Sequence, residues 1–275
     1  MNIIVLMKEV LNTKQVGFHK HTDTGTYTLI RNGVDSVMNY DDGNALEMAL
    51  QWKEQNPDTY ITVLCMGPTH AADMLRECLA IGADQVILVT DERLSGADTI
   101  ATSTYLAHAI NKIGTYDLVL AGYQSQDGRT GQVGPMVAEK LGVPQITYVK
   151  SFYQKEDKFV GIRELGAVDE KIAIELPCVF VISKQKYSLR SMTLSGIRKT
   201  LGKEICIWSL DDICSEGEQE VACLLRTATI EIKKLKKMRK KKIVKFEDYQ
   251  NRTLTNHIRE FQKTVFIDAH FEKKK

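Results

Sequence analysis

Short apolar runs along the chain alternate with longer stretches whose apolar residues recur at helical spacing. Ile3 to Val10 is an apolar run broken by Lys8 and reads as a buried strand. Residues 11–40 are polar, with a hairpin read around Thr22 to Ile30. Asp41-Asp42-Gly43 then opens a helical face of Ala45, Leu46, Met48, Ala49, Leu50 and Trp52 that reaches Gln55. The acidic start suits the positive end of a helix dipole. Asn56-Pro57-Asp58 stops this helix, and Tyr60 to Met66 predicts a second strand closed by Gly67-Pro68.

The alternation continues with a helix over Thr69 to Ile81, a strand over Gln85 to Thr90, a helix over Asp98 to Ile113 and a strand over Asp117 to Ala121. A polar loop, Gly122 to Arg129, precedes a helix over Thr130 to Leu141. Gln145 to Phe152 is strand-like, Phe159 to Arg163 and Lys171 to Leu176 read as an antiparallel hairpin, and Cys178 to Ser183 is one more apolar strand. Strands alternating with helices of this length predict an α/β fold, a parallel sheet covered by helices on both faces, with the hairpin as an addition. Past residue 185 no clear pattern is read.

Composition narrows the class. The chain has 275 residues, 43% hydrophobic and 26% charged, with 18 Gly and 5 Pro, which excludes a disordered or collagen-like chain. No apolar run is long enough to span a membrane, and the N-terminus lacks the features of a secretory signal, so a cytoplasmic protein is expected. The net charge of +2 conceals a division. Residues 224–275 carry 16 Lys or Arg against 6 Asp or Glu, so residues 1–223 are acidic on balance. The six cysteines form no C-x-x-C pair and the histidines stand at no zinc-ligand spacing from them, so free thiols and no metal are expected.

In an open parallel sheet a ligand sits beyond the carboxyl ends of the strands, where strand order reverses. If the second and third strands run outward from the first and the fourth returns to its other side, the crevice lies between strands one and four. Leu6 to Val10, Cys65 to Pro68 and Gly122 to Gly134 then converge on it, with the Asn39 to Asp42 turn at the rim. The loop Gly122-Tyr123-Gln124-Ser125-Gln126-Asp127-Gly128-Arg129-Thr130-Gly131-Gln132-Val133-Gly134 joins a strand to a helix. Its glycines allow close approach to the backbone, Thr130 is placed to cap the helix, and the helix start suits a phosphate. Asp127 suits a ribose hydroxyl. The spacing matches neither the dinucleotide fingerprint nor the P-loop, and an ordinary strand-to-helix loop remains the other reading. No Ser/His/Asp set or nucleophile elbow is present. Arg163 and Glu164 suit a surface ion pair better than an acid–base pair, and Cys65 suits packing better than reactivity.

Several segments in order carry a resemblance: Val5-Leu-Met-Lys8-Glu-Val10; Met38-Asn39-Tyr-Asp-Asp42 with Ala45-Leu46-Glu47-Met-Ala49-Leu50; Val63-Leu-Cys65-Met-Gly67-Pro68; Leu79-Ala-Ile-Gly82-Ala83-Asp84; Asp117-Leu-Val-Leu-Ala-Gly122; Asp127-Gly-Arg-Thr-Gly131-Gln132-Val-Gly134; and Arg163-Glu164 followed by Glu175-Leu176-Pro177. Over residues 1–212 the chain resembles the beta subunit of electron transfer flavoproteins. The resemblance implies an adenine-nucleotide-hydrolase-like fold and a heterodimer with an FAD-carrying alpha subunit. It implies a nucleotide site that holds AMP in ordinary members. In electron-bifurcating members the site holds a second FAD, which NADH reduces. Carried over by position, that site comprises Leu6, Asn39, Tyr40, Asp41, Asp42, Cys65 and the loop Gly122 to Val133. The cofactor would carry the chemistry, which accounts for the missing catalytic set.

The resemblance also implies docking of an acyl-CoA dehydrogenase-like flavoenzyme at Arg190 to Ile197, with Leu194 as anchor; packing of Leu194 on its own domain is the alternative. Tyr40 stands where a proline is usual, Arg129 where an acidic residue is common, and the docking loop lacks its usual proline. From about residue 215 no family pattern is recognised. Residues 213–275, including the basic run Lys233 to Lys242, are expected to form an extension, a partner-wrapping arm. A solvated helix suits that run better than nucleic-acid binding, since no aromatics interleave it. A nucleotide-sensing module of the same fold without redox role is the alternative function.

Overall fold

The computed structural model describes residues 1–12, 35–156, 158–184 and 187–215. In chain order the elements are β1 (Asn2–Met7), β2 (Glu9–Leu11), β3 (Ser36–Met38), α1 (Tyr40–Gln55), β4 (Tyr60–Met66), α2 (Ala71–Ile81), β5 (Gln85–Val89), α3 (Thr99–Ile113), β6 (Leu118–Ala121), α4 (Val133–Leu141) and β7 (Gln145–Lys155). They continue with β8 (Lys158–Leu165), β9 (Val168–Ile174), β10 (Cys178–Ile182), α5 (Leu194–Thr200), β11 (Cys206–Trp208) and α6 (Leu210–Ile213).

Nine strands form one sheet in the order β11-β5-β4-β1-β6-β10-β7-β8-β9. Every pairing from β11 to β7 is parallel, and the β7-β8-β9 meander is antiparallel. The chain moves outward from β1 through β4 and β5, then returns to β6 on the other side of β1. Strand order therefore reverses between β1 and β6, which meets the condition set in reading the sequence. Alternate residues of each central strand enter different cores. Ile3, Val5, Ile61, Val63, Leu118, Leu120 and Phe180 pack with the buried faces of α1 and α2. Ile4, Leu6, Leu64, Val119, Ala121, Val179 and Val181 pack with α3, α4 and α6. Burial on both faces is why these strands read as continuous apolar runs.

The run from Ile3 to Val10 is two strands. Lys8 interrupts it because both its backbone groups leave the sheet: its N–H donates to Asp42 Oδ2 at 2.9 Å, and its carbonyl accepts from the Asn39 N–H at 2.9 Å. The remainder, β2, pairs antiparallel with β3 in a separate two-stranded sheet. The expected helix start at Thr130 is also corrected. Arg129 (φ +53°) and Gly131 (φ +64°) lie in the left-handed region and hold the chain out of helix until Val133. Gln132, not Thr130, occupies the N-cap. The hairpin read at Thr22 to Ile30 and the run Lys233 to Lys242 lie outside the described residues.

Candidate functional site

Three connections meet at the carboxyl ends of β1, β4 and β6. The first is the Asn39 to Asp42 turn, which places the start of α1 against the end of β6. That approach is so close that a Cβ on Gly122 would stand 2.2 Å from Asp42 Oδ1 and 2.5 Å from the Asp41 carbonyl carbon. Only glycine fits there. Asn39 is fully buried and clamps the loop beyond Gly122: its Nδ2 donates to the Gln124 carbonyl at 2.9 Å, and its Oδ1 accepts from the Gln126 N–H at 3.1 Å.

The loop then curls on itself. The Arg129 N–H donates to the Ser125 carbonyl at 2.9 Å, the Gly128 N–H to Ser125 Oγ at 3.2 Å, and Arg129 Nε to the Gln126 carbonyl at 3.1 Å. Gly134 seats the first turn of α4 on the sheet, where a Cβ would meet Val181 at 2.8 Å and Ala121 at 3.0 Å. The Gln132 side chain faces α3 and accepts from Thr99 Oγ1 at 3.0 Å. It makes no cap bond, and Thr130 is exposed. The first amides of α4, at Val133 and Gly134, thus start a helix with no side-chain cap, beneath a glycine-containing loop and at the positive end of the dipole.

Charges around the crevice are strongly conditioned. Burial pushes Asp42 up to about 7, against the opposing hydrogen bonds from Asn39 and the Lys8 amide. Burial also raises Asp41, with Lys184 and the Gln124 amide working the other way. Asp127 is desolvated too, but the Lys8 ammonium, 2.7 Å away, with Ser125 and the Gly128 amide, holds its carboxyl below the usual range. Cys65 is fully buried and burial pushes its thiol up to about 12, so it packs and does not react. The Leu6 side chain likewise belongs to the core. Arg163 pairs with Glu170 at 2.7 Å, while Glu164 accepts from Ser183 Oγ at 3.2 Å.

The structure thus gathers Asn39, Tyr40, Asp41, Asp42 and the Gly122–Val133 loop at one rim. Sequence reasoning brought the Leu6 to Val10 segment here without giving Lys8 a role, and it missed Tyr148 and Lys184. Lys8 supplies the cation on Asp127, and only its interruption of an apolar run signalled it. Tyr148 places its ring 5.6 Å from that of Tyr123, and Lys184 Nζ lies 5.4 Å from the Tyr123 ring centre. For Lys184 the signal was a cation directly after the apolar run of β10. Tyr148 had none.

Residues 26–212 match the model of the electron transfer flavoprotein domain. The chain belongs to the electron transfer flavoprotein family. Similar proteins include subunit CarD of the caffeyl-CoA reductase–Etf complex of Acetobacterium woodii, 41% identical over 232 residues, covering 84% of this chain and 86% of that one. The electron transfer flavoprotein subunit beta of Thermoanaerobacterium thermosaccharolyticum is 42% identical over 214 residues, 78% of this chain and 80% of the relative. The acryloyl-CoA reductase electron transfer subunit gamma of Anaerotignum propionicum is 35% identical over 219 residues, again 78% and 80%. These likenesses put the chain with the beta subunits of the family. The match to the Acetobacterium protein covers more of the chain than residues 1–212 can supply, so likeness enters the C-terminal extension that the recognised patterns did not reach.

Proposed function

We propose that the crevice at the β1/β6 switch point binds an adenine nucleotide, as FAD or AMP, and that the chain works as the beta subunit of an electron-transferring heterodimer. The observation that carries the first part is the uncapped first turn of α4 under the Gly128–Gly131 curl. Its amides and dipole suit a diphosphate or a phosphate. The residues fit such a group. Lys8 at the rim adds a cation, Asp127 offers a carboxylate to a ribose hydroxyl, and backbone at Leu6 and Cys65 flanks the base. Asn39 keeps the loop in place before the ligand arrives, which lowers the ordering cost of binding.

A bound flavin supplies the electron chemistry. The chain's own groups orient it, exclude water on the sheet side and hold charge near the phosphates. Relatives named as subunits of caffeyl-CoA and acryloyl-CoA reductase complexes support a CoA-ester reductase as electron partner, and a relative named subunit beta of an electron transfer flavoprotein supports an alpha subunit as the second half of the heterodimer. If the site holds FAD, the proposed donor is NADH, with bifurcation. Leu194, 87% exposed at the start of α5, offers the docking anchor. The test is co-purification from the native host. A flavin-bearing partner subunit, whose flavin NADH or a reduced dehydrogenase reduces, is the expected result. A chain that purifies with no flavoprotein contradicts the electron-transfer role.

A further inference from the structure

The helix α5, which carries the docking anchor, buries none of its side chains. Apolar packing therefore does little to hold it, yet it lies against the last turn of α2. The contact is made at Gly196. A Cβ there would stand 2.1 Å from the Ala80 carbonyl oxygen and 3.2 Å from the Ala80 carbonyl carbon, so only a residue without a side chain lets the two helices meet. Ala80 lies in the last turn of α2, where carbonyls have no partner within the helix. Beside the contact a cavity of about 360 Å³ opens between the two helices, lined by Gly82 and Asp84 on one side and by Ser195, Lys199 and Thr200 on the other.

A glycine weakens a helix, and α5 has only seven residues, so its place there needs a cause. The helical repeat supplies one. Positions 194 and 196 are about 200° apart around the helix, so a helix seated through Gly196 turns Leu194 away from α2. Leu194 is 87% exposed, and Ile197 and Leu201 beyond it are exposed too. The chain on either side is pinned. Thr193 Oγ1 accepts from the Gly196 N–H at 3.0 Å, which fixes the first turn, and Arg190 is tied to Glu47 and Glu54 of α1. Leu194 thus stands between one attachment to α1 and another to α2, and belongs to neither core.

We propose that Gly196 is the positioning residue of the docking face: the hydrogen in place of a side chain seats α5 on the Ala80 carbonyl and so holds Leu194 outward for the electron partner, a CoA-ester reductase. This rests on the reading of Leu194 as the docking anchor and goes further by naming what aims it. With alanine at 196 the helix must rise off α2 or turn about its axis, and Leu194 is displaced with it. The core stays in place, because α5 supplies no side chain to it.

The intact heterodimer, reduced by its donor, is assayed for electron delivery to the reductase from the same host over a range of reductase concentrations. Gly196→Ala is expected to raise KM for the reductase about tenfold, the scale of one displaced anchor, with the limiting rate, the rate of flavin reduction by the donor and the unfolding midpoint unchanged. Ser195→Ala, at the exposed neighbour, serves as the control that alters none of these. Leu194→Ser should raise KM as well, and adding Gly196→Ala to it should change KM little further, since the seat acts through the anchor. An unchanged KM in Gly196→Ala overturns the proposal, as does a full further rise on top of Leu194→Ser. Loss of cooperative unfolding in Gly196→Ala also overturns it, because a seat beneath an exposed helix carries no core. If Leu194→Ser leaves KM unchanged, or the parent delivers no electrons to the reductase, the docking reading fails and the seat with it.

Discussion

Asn39 and Gln126 are joined by a hydrogen bond of 3.1 Å from the Gln126 N–H to the Asn39 Oδ1, across 87 residues of sequence. With the companion bond to Gln124, it fixes the start of α1 to the loop that leads to α4. Asn39→Ala removes both bonds and leaves a carbonyl and an N–H unpaired in a half-buried place. A loss of about 2 kcal/mol in unfolding free energy is expected, with weaker nucleotide binding. Asn39→Asp keeps the acceptor and loses the donor, and should fall between. Chemical denaturation of the three proteins checks the order.

Asp42 links stability to pH. Its carboxyl titrates near 7 when folded, against 3.8 for the unfolded chain. Between these values the folded state holds a proton that the unfolded state has released, so stability falls as pH rises from about 4 to about 7 and levels off above. Asp42→Asn, which keeps an acceptor for the Lys8 N–H, should raise stability by up to about 4 kcal/mol at pH 8 and hardly at all at pH 4. Unfolding midpoints across that range decide it; a gain that does not depend on pH would mean that the Asp42 proton is not its cause.

Arg190 grips the middle of α1. Its backbone N–H, Nε and Nη2 donate to the buried Glu47 carboxylate at 3.1, 3.0 and 2.8 Å, and its Nη1 to Glu54 at 2.5 Å. Arg190→Met leaves the Glu47 carboxylate with only Gln51 and the backbone N–H of residue 190 for support. A cost of about 2–3 kcal/mol is expected, below that of a fully buried pair because Arg190 keeps a third of its surface. Arg190→Met combined with Glu47→Leu should recover part of it, as a double-mutant cycle would show.

Leu194 is the converse case. At 87% exposure it packs on nothing among the described residues, so Leu194→Ser should leave stability within about 0.5 kcal/mol. Electron delivery to a flavin dehydrogenase should fall, through a higher KM for the partner and an unchanged rate of flavin reduction by the donor. A loss of thermal stability as large as that of a core substitution would contradict the docking role.

The central sheet was legible because β1, β4, β6 and β10 are buried on both faces and separated by amphipathic helices. β2 and β3 were not, since three-residue strands carry no period and Lys8 breaks the run through backbone bonds that no side chain announces. β11 and α6 escaped for the same reason of length. The loop from Gly122 to Gly134 was recognisable by its glycines, yet Thr130 was read as the cap because the left-handed turns at Arg129 and Gly131 that delay α4 leave no mark at an arginine. Tyr148 was invisible for a related reason: its left-handed conformation falls where the pairing of β7 with β10 and with β8 shifts register, and alternation along β7 says nothing of it.

The most direct measurement of the nucleotide reading is to denature the purified heterodimer and count the nucleotides released. The expected result is one adenine nucleotide per copy of this chain beyond the flavin of the partner, as a second FAD or as AMP, and its loss in a variant with Gly131 and Gly128 both replaced by Val. A complex that releases the partner's flavin alone, with no second adenine nucleotide, would contradict it.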